Sequence, residues 1–277
     1  MPLTSFQTYV AQLLARNRSP ESHLAGGSAI HLDPNSERYS NDLDYFHDAI
    51  ERVAEAFEAD HTILVDEGCN VTVDMSQPGY IRAFVEKGLE NTKIEWAHDS
   101  AWRFLPTVFS QEFGYVLHPI DLAINKVLTL AGRNEVRDFI DVLHCHRKVL
   151  PLGGQCWAAA GKDPGFTPLS LLELLRRRGR YREEEIARLH LARPIDLPSL
   201  KTEWLSALDA ADRFIRSRPP QELGCLYYSP GEQTFVEPSS ESYSTEPDAV
   251  ESDAIPHFGR PGGVIPRIID SEEPVQP

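Results

Sequence analysis

Residues 26–46 read GGSAIHLDPNSERYSNDLDYF, and the closing Asp42-Leu43-Asp44-Tyr45-Phe46 decides the fold. The aromatics and Leu43 suit a strand entering a core. On a strand, residues i and i+2 share a face, so Asp42 and Asp44 place two carboxylates side by side, roughly 6.5–7 Å apart at the backbone. Like charges in that position repel and resist burial. A divalent cation held between them removes the repulsion, and Mg²⁺ prefers such hard oxygen donors. The plainer reading is a pair of solvated acids at a strand edge. Upstream, Gly26-Gly27-Ser28 stands where a helix can begin. Backbone amides freed by glycine, with a hydroxyl beside them, form an anion cradle, or simply a tight turn and cap. Arg38 and Ser40 lie between the two features and either contact phosphate or pair on the surface.

Working outward, residues 4–16 carry a helical stripe of Phe6, Tyr9, Val10, Leu13 and Leu14. Residues 48–61 read as a helix with Ile50, Val53, Ala54 and Phe57 on one face. Three strand-like runs follow: CNVTVDM (69–75), YIRAFVEK (80–87) and TKIEWAHD (92–99). This predicts a small α/β unit with a mostly antiparallel or mixed sheet. After Pro119 the pattern turns helical, over about 120–132, 135–148, 152–161, 168–179, 182–190 and 198–217. From Pro219 it becomes rich in Pro, Ser and Glu. Residues 237–255 have a disordered composition, while IPHFGRPGGVIPRII beyond them suits an extended arm docking back. The fold class expected is α+β, divided as 1–118 α/β core, 119–220 helical part completing a cleft, and 221–277 an irregular, acidic, partly disordered tail.

The net charge of −15 is unevenly spread, because residues 221–277 hold eleven Asp/Glu against two Arg. That balance argues against non-specific nucleic-acid binding by the whole chain, but leaves room for a local basic groove. The run Arg176–Arg182 is one such stretch, though a solvated face explains it as well. Four cysteines, Cys69, Cys145, Cys156 and Cys225, form no CxxC pair and fit a reducing compartment. The N-terminus lacks a signal-peptide pattern and no apolar run reaches membrane length. A cytoplasmic protein is expected, with no membrane partner.

The order Gly-Ser, spacer, Asp-x-Asp resembles the nucleotidyltransferase superfamily of DNA polymerase beta type. The wording AGGSAIHL…RYSNDLDYF looks more narrowly like the AbiEii/AbiGii toxin-type nucleotidyltransferases. Lys93-Ile94-Glu95-Trp96 is similar to that family's second motif. Asp121 with Lys126 is similar to its third, and Arg137-Asp138 with Asp141 to its fourth. Four motifs occur in order over residues 26–141. Thirteen residues separate Ser28 from Asp42, a longer spacer than the family's usual one.

The resemblance implies a nucleotidyltransferase-type mixed sheet with flanking helices and Mg²⁺ or Mn²⁺ held by Asp42, Asp44 and Glu95. It also implies NTP contacts from Gly27, Ser28, Arg38, Ser40, Asp121, Lys126, Arg137, Asp138 and Asp141, and catalysis by Asp42, Asp44, Glu95 and Lys126. The residues themselves agree in part. Glu95 alternates with buried-type Ile94 and Trp96 and so faces the other way. Lys126 sits between Leu122 and Leu130 on its helix and must snorkel or reach a partner. Arg137, Asp141 and His144 share a helix face. The implied role is a bacterial toxin adding nucleotides to tRNA, with a cognate antitoxin. Transfer to a small molecule or protein side chain, and a non-catalytic nucleotide-binding module, stand beside it.

Overall fold

The computed structural model describes residues 3–32, 36–238 and 254–266. Helix α1 (Ser5–Leu14) is started by a capping box in which Thr4 and Gln7 satisfy each other's backbone amides. It buries Phe6, Val10 and Leu14. Strand β1 (Ser22–Ala25) runs directly into the short helix α2 (Gly26–Ile30), and β2 (Asp42–His47) returns antiparallel to β1. Helix α3 (Ile50–Asp66) then crosses to a meander of β3 (Asn70–Gln77), β4 (Tyr80–Lys87) and β5 (Glu90–His98). The β3–β4 turn is Pro78-Gly79, with Gly79 at φ 76°, the pairing that a type II turn asks for.

Next come β6 (Trp102–Arg103), β7 (Val108–Ser110) and β8 (Gly114–Val116), then the helices α4 (Pro119–Gly132), α5 (Val136–Lys148), α6 (Leu152–Lys162), α7 (Pro168–Arg176), α8 (Glu183–Ile186) and α9 (Leu197–Ser217). The described residues after 221 include short strands. Strands β9 (Leu226–Ser229), β10 (Thr234–Val236) and β11 (Ile255–His257) form a small sheet, and β12 (Arg260–Pro261) pairs with β6. Most of the Ser/Glu-rich stretch 237–255 lies outside the described residues.

The main sheet has the order β3-β4-β5-β2-β1-β8-β7. It is mixed: β2/β5 and β1/β8 are parallel and the remaining pairs antiparallel. One face packs on α1 and α3, burying Leu43, Tyr45, Ile94 and Trp96 completely or nearly so. Each such burial contributes about 1.5–3 kcal/mol. A one-residue slip of β2 against β5 would turn Leu43 and Tyr45 outward at a cost on the order of 3–6 kcal/mol, so the register is firmly set. A second core lies among the helices, around Ile124, Leu130, Phe139, Leu143, Leu171 and Trp204. Helices α4 and α5 join the two, since Leu122, Ala123 and Cys145 pack under the sheet while Ile124, Val127 and Phe139 pack among the helices.

The helix expected over 182–190 is confined to Glu183–Ile186. The residues beyond it pair instead with the loop before β2: Tyr39 donates to His190 O at 2.8 Å and Ala192 to Glu37 O at 2.8 Å. Backbone groups committed to that loop cannot close helical turns.

Candidate active site

The register of β2 on β5 builds the acidic wall. Asp42 stands opposite Lys93 and Asp44 opposite Glu95, while β1 sets Ala25 opposite Asp44. The alternation that buries Leu43 and Ile94 therefore turns Asp42, Asp44, Lys93 and Glu95 to the other face. Chain reversal at the end of β1 brings the start of α2 over that face. Gly26 adopts φ 60°, and a Cβ there would lie 2.0 Å from Asp44 Oδ2. Conformation and space both demand glycine at this point. At Gly27 a Cβ would meet Arg38 Nη2 at 3.2 Å.

A cleft of about 230 Å³ opens here. Of the residues expected from sequence, Gly27, Arg38, Asp42, Asp44, Glu95, Lys126 and Arg137 line it. Gly26, Phe46, Thr129 and Arg133 line it too. A larger, mostly apolar cavity of about 540 Å³ borders α2, β7, β8 and α5, but it brings no carboxylate to its wall.

Beneath the cleft lies a buried charge network. Arg38 clamps Asp141 with two hydrogen bonds, Nε to Oδ1 at 2.8 Å and Nη2 to Oδ2 at 2.6 Å. Lys126 Nζ is 3.1 Å from Asp138 Oδ1 and 3.1 Å from Asp141 Oδ2. Arg133 closes on Asp138 from the far side at 2.7 Å, and His31 Nε2 reaches Asp141 Oδ1 at 3.0 Å. Asp138 and Asp141 are fully buried. Burial alone would push the Asp141 carboxyl up, yet Lys126, Arg38 and His31 together hold it well below the usual carboxylate range. The partner that Lys126 needed is thus this aspartate pair, which fixes its ammonium at the cleft floor.

The acidic wall behaves in the opposite way. Burial, with the Asp42 and Glu95 charges beside it, pushes the Asp44 carboxyl up to about 7, against the pull of Lys126 and Lys93. Positive charge is in deficit at Asp44. Lys93 supplies some of it, with Nζ 2.9 Å from Asp42 Oδ2 and 2.6 Å from Glu95 Oε1. Arg137 Nη1 is 4.0 Å from Asp42 Oδ2. Among the described residues no three His, Cys, Asp or Glu side chains are gathered closely enough to hold a metal as they stand. The oxygen-only donor set of Asp42, Asp44 and Glu95, short of counter-charge, nevertheless fits a hard divalent cation.

Other expected residues serve the frame. The Ser28 hydroxyl donates to Ala25 O at 2.9 Å and accepts from the Asp44 amide at 3.2 Å, tying the α2 turn to β2. The Ser40 hydroxyl donates to Asp42 O at 2.9 Å. Neither hydroxyl is turned to the cleft. Asp121 is away from it altogether: its carboxylate accepts from the amides of Phe104 at 2.8 Å and Leu105 at 3.0 Å. Its pKa rises to about 6 because burial outweighs those two amides. Lys93 was named only as part of a motif, although its i, i+2 spacing from Glu95 signals a shared face. Gly26 was passed over for Gly27. His31 and Arg133 carry no local signal.

No family model matches the chain, and no curated protein matches it in sequence. Solved structures do. The chain is similar to MenT4, a nucleotidyltransferase toxin of Mycobacterium tuberculosis H37Rv, at 15% identity and a TM-score of 0.51, over 78% of this chain and 83% of that one. Two Helicobacter pylori proteins, one described as a nucleotidyltransferase and the other JHP933, align at 14% and 13% identity with TM-scores of 0.47 and 0.45. They cover 76% of this chain in each case, and 94% and 91% of their own. The chain accordingly has the α+β fold of a nucleotidyltransferase, the one it shares with the toxin MenT4.

Proposed function

We propose that this chain is a divalent-metal-dependent nucleotidyltransferase that moves a nucleotidyl group from an NTP to an acceptor hydroxyl. The observation that carries this reading is the pairing of Asp44 with Glu95 across parallel strands, with Asp42 beside them, facing Lys126 and Arg137 over one cleft. Asp42, Asp44 and Glu95 would hold Mg²⁺ or Mn²⁺. When bound, such ions neutralise phosphate charge and lower the pKa of an acceptor hydroxyl for in-line attack at the α-phosphate. Gly26 and Gly27 give the backbone room to approach a polyphosphate. Lys126, held by Asp138 and Asp141, is preorganised to meet the charge that develops on departing pyrophosphate. Arg137 adds a second cation on the same side, and Arg38 reaches the cleft while anchored on Asp141.

The toxin reading draws on the four sequence motifs and on the similarity to MenT4. With it come tRNA as acceptor, a cognate antitoxin, the narrower AbiEii/AbiGii label and a cytoplasmic site of action. No helix among the described residues is long and apolar enough to cross a membrane. We read residues 1–118 as the catalytic core and 119–220 as the part that completes the cleft.

The test is incubation with Mg²⁺ and each α-labelled NTP, with and without total tRNA. Label is expected in RNA. Label in the protein itself would favour transfer to a side chain. No transfer together with no Mg²⁺-dependent NTP binding would overturn the enzyme reading. Asp44→Ala should abolish transfer with its circular dichroism unchanged.

A further inference from the structure

Lys93 stands where a cation is wanted. Its ammonium bridges Asp42 on β2 and Glu95 on its own strand, at 2.9 and 2.6 Å. Strand geometry enforces this: Lys93 and Glu95 are two residues apart on one face, and Asp42 is directly opposite Lys93 in register. Its side chain is only about one-quarter exposed, and both acids it bridges line the cleft, so the contact is better shielded than a solvated surface ion pair, which contributes little. The two acids it bridges are those assigned above to a divalent ion. An ammonium and a Mg²⁺ with oxygen ligands at about 2.0–2.1 Å cannot share that space, and their charges repel. Lysine also suits a yielding contact. It is a single point charge on a flexible four-carbon stem, whereas arginine would lock a carboxylate in a two-pronged clamp, as Arg38 does Asp141.

We propose that Lys93 is the resident counter-ion of the acidic site. It bridges Asp42 and Glu95 while no divalent cation is present and yields the place when one arrives. The acids then bind metal weakly by themselves and firmly only when nucleotide phosphates add oxygen donors and accept the released ammonium. This rests on the reading of Asp42, Asp44 and Glu95 as cation-binding acids.

The test is Mn²⁺ binding to the full chain, followed by electron paramagnetic resonance of the free ion, for wild type, Lys93→Met and Lys93→Gln. It is run without nucleotide and then with a non-hydrolysable NTP analogue. Without nucleotide, Lys93→Met should bind Mn²⁺ at least ~10-fold more tightly than wild type, since a repelling charge a few ångströms away has been removed. Its unfolding midpoint should also rise more on adding Mn²⁺. With the analogue the gap should narrow. A purely structural lysine would give a less stable variant with unchanged Mn²⁺ affinity, and that result overturns the proposal. Lys93→Gln, which keeps a donor for Glu95, should show the same direction and decides the matter if the Met variant does not fold. If wild type binds no Mn²⁺ even with the analogue, the metal-dependent function falls and this inference with it; equal binding by wild type and both variants overturns this inference alone.

Discussion

Replacing Asp44 with Asn should stabilise the metal-free protein at neutral and alkaline pH and flatten its pH dependence. The Asp44 carboxyl titrates near 3.8 in an unfolded chain and is pushed up to about 7 in the fold, by burial first and by Asp42 and Glu95 next. Between those values the native protein keeps a proton that the unfolded chain has released. Stability therefore falls as pH rises through that window, and the loss is complete above about pH 7. At about 1.36 kcal/mol per pH unit the loss is at most on the order of 4 kcal/mol, and solvent at the cleft mouth reduces it. Asparagine keeps the shape and carries no such penalty. Urea denaturation in EDTA at pH 5, 6, 7 and 8 measures it. Wild type should weaken across the series by a few kcal/mol more than the variant, which keeps only the slope of its other raised carboxyls, such as Asp121, and ends the more stable of the two. Millimolar Mg²⁺ should then raise wild type more than Asp44→Asn. The same slope in both proteins, or a variant weaker than wild type at pH 8 in EDTA, would refute the reasoning.

Gly26→Ala should cost about 1–2 kcal/mol from the left-handed backbone alone, and more because its methyl group would displace the Asp44 carboxylate. Thermal melts and transfer assays should both register it, and a fully active, fully stable variant would contradict the close approach. Asp141→Asn leaves Arg38 and Lys126 short of a buried counter-charge and should cost about 3–5 kcal/mol in chemical denaturation; a cost below about 1 kcal/mol would mean the network is relaxed by water. Asp121→Asn can satisfy only one of the Phe104 and Leu105 amides well, so about 1–3 kcal/mol should be lost. Calorimetry should show its affinity for NTP unchanged, and a large loss of affinity would return Asp121 to the nucleotide site.

The sequence carried what repeats locally. Strand patterning exposed β2, β3, β4 and β5, and period-two spacing turned Asp42, Asp44 and Glu95 to one face. Helical stripes located α1, α3–α7 and α9 to within a few residues. It missed β1, whose Ser-His-Leu-Ala residues are all buried and so alternate with nothing. It missed β7 and β8, which are too short to show a period. In the site, the acids were legible because their arrangement follows from strand geometry. The partner of Arg38 was not, because the identity of a long-range partner leaves no trace in local spacing: Arg38 and Asp141 are 103 residues apart. Asp121 and Ser28 look like ligand-binding residues by composition, yet the fold commits both to backbone groups: Asp121 to the Phe104 and Leu105 amides, Ser28 to the Ala25 carbonyl and the Asp44 amide.

The loop at Phe104 and Leu105 is gripped from two sides. Asp121 takes its amides, and the Phe104 carbonyl accepts from His257, 153 residues downstream, and from the Val264 amide. On the ribosome, every residue of the acidic cleft emerges long before that second grip exists. At about 5–20 residues per second the delay between Arg137 and His257 is roughly 6–24 s. A nascent chain thus carries every cleft residue while the clasp is still unfastened, so this loop is held from one side only until the C-terminal segment arrives.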